Sequence, residues 1–112
     1  MSVTPARPHL PHRAWIALGA NLGDRPGNLR TALARLDARP DVAVERVSSL
    51  IETDPVDSLP GAPRYLNGAA ALRTSLTPRA LLAALLSVEA ELGRRRVAGQ
   101  RNAPRAVDLD LL

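Results

Sequence analysis

Residues 66–93 read LNGAAALRTSLTPRALLAALLSVEAELG, and this stretch decides the fold class. Leu66 to Thr74 predicts a strand: Leu66, Gly68, Ala70 and Leu72 share one face at period two, and Asn67 points to the other. Thr77-Pro78 then opens a helix, because a threonine side chain accepts a first-turn N–H and proline fits where an N–H has no partner. Leu81, Leu82, Leu85, Leu86, Val88 and Leu92 recur at helical spacing and predict its buried stripe, with Gly93 in the C′ position.

Working outward, Val42 to Glu52 is rich in valine, isoleucine and leucine and predicts one long strand, whose imperfect alternation allows for a bulge or an exposed edge. Thr53 to Pro63 holds Pro55, Pro60, Gly61 and Pro63 and predicts a loop. Further upstream, Ala14 to Gly19 (AWIALG) predicts a first strand and Asn21-Leu22-Gly23-Asp24 a turn. Asp24 caps the following helix, Pro26 sits in its first turn, and Leu29, Leu33 and Leu36 form its apolar face. Downstream, Arg94 to Arg105 predicts a loop and Ala106 to Leu112 a fourth strand. The order βαββαβ implies an α+β, ferredoxin-like fold, an antiparallel sheet with both helices packed on one face. The expected organisation is a flexible Pro-rich tail over residues 1–13 and a domain over residues 14–112. That domain is expected to be C-terminally truncated, because the chain stops inside the fourth strand at Leu111-Leu112.

With 112 residues the chain suits one domain with a single core. The absence of cysteine excludes disulfides, thiolate metal sites and cysteine nucleophiles. No apolar run approaches the roughly 20 residues of a membrane span, and the tail has no apolar signal-peptide core, so a cytoplasmic protein without membrane partners is expected. All 15 basic residues are arginine, which excludes a P-loop lysine and lysine Schiff-base chemistry. An Arg- and Ala-rich chain also fits a GC-rich genome. From Arg94 onward five arginines face two aspartates, so the positive end of the chain coincides with an acidic pair.

That pair is Asp108 and Asp110. Two apart on a strand, their carboxylates share a face, roughly 6.5–7 Å apart along it, while Val107, Leu109 and Leu111 point to the core. Paired carboxylates suit Mg²⁺ ions that bridge to substrate phosphates. Alone, a D-x-D pair fits an exposed sheet edge better; Arg105, three residues upstream, and Arg94, Arg95, Arg96 and Arg101 on the preceding loop change that, because guanidinium groups grip phosphate oxygens. Glu89 falls in the middle of the leucine stripe, where a carboxylate needs a partner or a task unless it reaches solvent near the helix end. Asn21 reads as a turn residue. Tyr65 offers a stacking ring and Asn67 an amide that can read a ring edge, although an ordinary loop–strand junction explains both equally. His9 and His12 read as solvated tail residues, and Trp15 as core.

Five segments in this order resemble the 6-hydroxymethyl-7,8-dihydropterin pyrophosphokinase family: residues 16–23 (IALGANLG), 48–56 (SSLIETDPV), 64–69 (RYLNGA), 88–96 (VEAELGRRR) and 101–112 (RNAPRAVDLDLL). The last, close to R-x-x-P-R-x-x-D-x-D, is the most specific. The resemblance covers about Ala14 to Leu112 and implies a ferredoxin-like fold. It also implies transfer of pyrophosphate from ATP to the hydroxymethyl group of a reduced pterin, with release of AMP and two Mg²⁺ ions as cofactors. By this resemblance Asp108 and Asp110 hold the metals, and Arg94, Arg96 and Arg105 serve catalysis and, with Glu89 and Leu111, ATP. Thr53, Pro55, Val56, Tyr65 and Asn67 form the pterin pocket. The chain departs from the pattern in three places. The family's segment after the metal aspartates is missing, and with no phenylalanine Tyr65 is the stacking ring left. Asn102 stands where many members have tryptophan, and the 96–105 loop is about one residue longer.

Three rival readings are weighed. An RRM-type RNA-binding module shares the topology but needs aromatics on its central strands, and Leu66–Thr74 has none; nucleic acid is therefore not an expected partner. A small-molecule regulatory domain of the same fold would not need Asp108 and Asp110. An inactive fragment of the pyrophosphokinase would keep the motifs without turnover.

Overall fold

The computed structural model describes residues 10–54, 64–93 and 106–112. The chain runs β1 (His12–Ala20), α1 (Arg25–Asp37), β2 (Val42–Val47), β3 (Ile51–Thr53), β4 (Tyr65–Thr74), α2 (Pro78–Glu91) and β5 (Asp108–Leu111). The strands form one antiparallel sheet in the order β2-β4-β1-β5, with β3 also paired to β4. With β2 and β3 counted as one interrupted strand, this is the ferredoxin-like arrangement.

The caps act as the sequence predicts. The Asp24 carboxylate accepts the Gly27 N–H at 3.1 Å and starts α1. Thr77 Oγ1 accepts the Ala80 N–H at 3.2 Å and starts α2. Each cap satisfies a first-turn donor and contributes about 1 kcal/mol. Gly93, at φ 88°, takes the left-handed conformation that ends α2 and that a side chain would strain.

Alternation along the strands makes one core under both helices. Ile16, Leu18 and Ala20 of β1, Leu66, Ala70 and Leu72 of β4, and Leu109 of β5 meet Leu29, Ala32 and Leu36 of α1 and Leu81, Leu85 and Val88 of α2. An exposed Arg35–Glu91 ion pair joins the two helices at the surface. Among the described residues no helix is long and apolar enough to cross a membrane.

Four expectations are revised. The long strand over 42–52 is two strands: the register shifts between Val44 and Arg46, and residues 48–50 leave the ladder before β3 resumes it. Gly68 permits this, since a Cβ there would lie 2.6 Å from Leu50 Cδ2 and 3.1 Å from Ser48 Oγ. Leu82 and Leu86 are not in the buried stripe but are each 43% exposed, because the arc of α2 facing the sheet is the narrower one through Leu81, Leu85, Val88 and Glu89. Trp15 is not core; with Ile16, Leu18 and Ala20 directed inward, it projects from the helix-free face and is 52% exposed. β1 begins at His12, so His12 and Arg13, though exposed, are strand residues rather than tail.

Candidate active site

Register assembles the candidate residues on the helix-free face of the sheet. Asp108 lies opposite Gly19 and Asp110 opposite Ala17, so both carboxylates leave β5 on that face. On the other side of β1, Gly19 lies opposite Asn67 of β4. Asn67 in turn lies opposite Ile51, and Tyr65 opposite Thr53. One row therefore crosses four strands, from Asp108 through Gly19 and Asn67 to Ile51, with Thr53 and Tyr65 one step along.

Gly19 is the close point of this row. A Cβ on it would lie 3.4 Å from Asn67 Oδ1 and 3.9 Å from Asp108 Cβ. With no side chain on Gly19, nothing on β1 stands between the Asn67 amide and Asp108 on this face. Asn67 Nδ2 donates to Thr53 Oγ1 at 2.5 Å, which fixes the amide and turns its carbonyl oxygen toward Gly19. Asn21, immediately after β1, is 4% exposed, so it is a buried polar residue at the end of the strand and not an ordinary exposed turn residue.

Glu89 is the most deeply buried of the candidate carboxylates. It is 1% exposed, and its Oε2 accepts the Leu109 N–H at 2.7 Å. Leu109 sits between the two aspartates, so Glu89 supports the acidic strand from the helix side. Losing that bond leaves the buried Leu109 N–H without its acceptor, at a cost of about 1–3 kcal/mol. The side chain does not reach solvent, and the Leu109 backbone is one of its partners. Leu111 packs against the edge of the core, on the face opposite the aspartates.

Asp108 is half-buried and Asp110 exposed. Among the described residues no cluster of three or more His, Cys, Asp or Glu forms a closed metal cage. Two carboxylates suit Mg²⁺ nonetheless, since that ion keeps waters and shares its ligands with substrate phosphates. Pro55, Val56, Arg94, Arg95, Arg96, Arg101, Asn102, Arg105 and His9 lie outside the described residues. The structure thus brings together Thr53, Tyr65, Asn67, Asp108 and Asp110, places Glu89 beneath them, and sets the Leu111 side chain apart.

The sequence reading gives no role to Gly19, Arg25 or Glu52. Gly19 gains meaning only from its cross-strand neighbours. Arg25 and Glu52 are far apart in sequence and are paired at 2.6 Å in the fold; no local spacing signals that contact.

The family model of 7,8-dihydro-6-hydroxymethylpterin-pyrophosphokinase matches residues 15–112. A Bacillus subtilis protein named 2-amino-4-hydroxy-6-hydroxymethyldihydropteridine pyrophosphokinase is 48% identical over 99 residues, which are 88% of this chain and 58% of the relative. The Pseudomonas aeruginosa protein of the same name is 40% identical over 89% of this chain and 60% of its own length. The mitochondrial folate synthesis bifunctional protein of Arabidopsis thaliana is 45% identical over 90% of this chain and 18% of its own length. The chain thus spans less than two thirds of each of these relatives. With nearly its whole length matched to the family model, the chain belongs to the 7,8-dihydro-6-hydroxymethylpterin-pyrophosphokinase family.

Proposed function

We propose that the chain transfers pyrophosphate from ATP to 6-hydroxymethyl-7,8-dihydropterin, releasing AMP, as a step of folate biosynthesis. The observation that carries this reading is the cross-strand row in which Gly19, without a side chain, lies between Asn67 and Asp108. A flat ring held at Asn67 and a metal-bound triphosphate held at Asp108 would meet there.

In this reading Thr53, Pro55, Val56, Tyr65 and Asn67 form the pterin pocket. Tyr65 stacks on the ring, and the fixed Oδ1 of Asn67 accepts from a ring-edge N–H. Asp108 and Asp110 would hold two Mg²⁺ ions, whose chemistry there would be to neutralise phosphate charge and orient the triphosphate. Arg94, Arg96 and Arg105 contact the phosphates, and Glu89 keeps the acidic strand in place under the nucleotide. The pterin hydroxyl oxygen attacks the β-phosphorus and gives up its proton to solvent water. The bond from that phosphorus to the oxygen bridging to the α-phosphate breaks, and AMP leaves with the electron pair. Guanidinium groups stabilise the charge that grows on the bridging oxygen. The chain's contribution is chiefly positioning and charge neutralisation. In this reading the chain acts in the cytoplasm.

The test is AMP release from ATP in the presence of the reduced pterin, with magnesium supplied or chelated. Pterin- and magnesium-dependent AMP formation, lost in Asp108→Ala and Asp110→Ala, is expected. AMP release that ignores the pterin, or survives both substitutions, would overturn the reading.

A further inference from the structure

β3 is three residues long, and all three are exposed. Among the described residues it pairs only with β4, and its one large apolar side chain, Ile51, is 61% exposed. Strand pairing this short is marginal without buried side chains to hold it. Yet β3 presents Thr53, whose hydroxyl fixes the Asn67 amide. Polar contacts therefore hold it in register, and the Ser48 bonds to Ala69 secure only the residues before it.

Glu52 supplies the attachment. It alternates away from Ile51 and Thr53 and lies opposite Leu66, so it points toward the helix side of the sheet. There the first residue of α1 meets it. Arg25 Nη2 donates to Glu52 Oε1 at 2.6 Å, and Arg25 Nη1 donates to the Arg64 carbonyl oxygen at 2.8 Å. Glu52 Oε2 accepts from Arg64 Nη1 at 3.2 Å, and Arg64 Nε pairs with Asp54 Oδ1 at 3.1 Å. One guanidinium thus joins the side chain of β3 to the backbone just before β4. The Arg25 side chain is 28% exposed, against 42% for Glu52 and 52% for Arg64, so the hub is the best shielded of the three.

We propose that Arg25 is a positioning residue for the ring-binding side of the site: it locks β3 to β4 and thereby holds Thr53 against Asn67. Exposed ion pairs taken singly contribute little, because two long side chains must be ordered for one contact. Here one ordering event serves a carboxylate and a carbonyl together, and the fork of the guanidinium matches both. If β3 loosens, Thr53 Oγ1 leaves the amide, and Asn67 is free to rotate and exchange its acceptor for its donor toward Gly19. The ring edge would then meet a donor where it needs an acceptor whenever the amide is turned.

The inference rests on the pterin reading above, and two measurements keep the two separable. Backbone amide exchange is followed in the chain with and without Arg25→Ala, comparing residues 51–53 with residues 84–88 of α2. Affinity for the reduced pterin and for magnesium-ATP is measured on the same proteins. Arg25→Ala is expected to speed exchange at 51–53 and to weaken pterin binding, each about tenfold, while α2 exchange and nucleotide affinity stay within about twofold. Arg25→Lys is expected to recover little, since an ammonium lacks the fork. Unchanged exchange at 51–53 would overturn the proposal. So would a parallel rise in α2, which means general destabilisation, or unchanged pterin affinity despite a loosened β3. If the unaltered chain binds no pterin, the proposed function fails, and the exchange measurement still decides whether Arg25 holds β3.

Discussion

Glu89 Oε2 accepts the backbone N–H of Leu109 at 2.7 Å, from a position 1% exposed, so a buried carboxylate on α2 supports the strand on which Asp108 and Asp110 lie. Glu89→Ala leaves that donor without its partner and opens a void, and is expected to destabilise the fold by about 3 kcal/mol. Glu89→Gln keeps an acceptor of the same shape and should cost less than half as much. Urea unfolding of both variants checks the order; equal losses would show that the Leu109 bond is energetically silent.

Asp108 and Asp110 leave β5 on the same face of the sheet. Asp108→Asn is nearly isosteric at a half-buried position and should leave stability in chelator within about 1 kcal/mol of the unaltered chain. Magnesium with ATP should raise the melting temperature of the unaltered chain by mass action and should do so much less for the variant. Thermal melts with and without the ligands provide the comparison.

Gly19→Ala adds a methyl at an ordinary backbone conformation, 3.4 Å from Asn67 Oδ1 and 3.9 Å from Asp108 Cβ. Stability should change by no more than about 1 kcal/mol. The methyl stands between the two halves of the proposed site, so binding of the pterin and magnesium-ATP together should fall more than binding of either alone. Titrating each ligand with and without the other measures this.

Gly68→Ala tests the break between β2 and β3. Leu50 can swing its terminal methyl aside, but Ser48 Oγ, 3.1 Å away, is held by the Ala69 N–H and by donation to Ser49 O. The expected cost is about 1–2 kcal/mol, read by chemical denaturation.

Leu85 and Leu86 are neighbours on α2 with opposite fates. Leu85 is fully buried and Leu86 is 43% exposed. Leu85→Ala should cost about 2–5 kcal/mol, whereas Leu86→Lys should stay within about 0.5 kcal/mol. Comparable losses at both positions would place Leu86 in a contact that this fold does not contain.

Much of the fold was legible because its signals are local. Asp24 and Thr77 announce helix starts through side chains that reach three residues ahead, and Gly93 ends α2 because its φ favours glycine. The break at residues 48–50 was not legible. It depends on Gly68, about twenty residues away, leaving room for Leu50. Leu82 and Leu86 were misplaced for a related reason: periodicity shows that a helix has an apolar side, and only the packed sheet sets how wide the covered arc is.

The sequence by itself determined the element order, the caps and the shared face of Asp108 and Asp110, since each follows from backbone periodicity or from contacts within one turn. Tertiary structure alone decided what those residues meet. Cross-strand register put Gly19 between Asp108 and Asn67. Packing of α2 on β5 gave Glu89 its backbone partner, and the fold of β3 toward α1 brought Glu52 to Arg25. The physical reason is the same in each case: these contacts join residues about 20 or more positions apart, where no local spacing constrains the chain and only the closed sheet and its helices fix the distance.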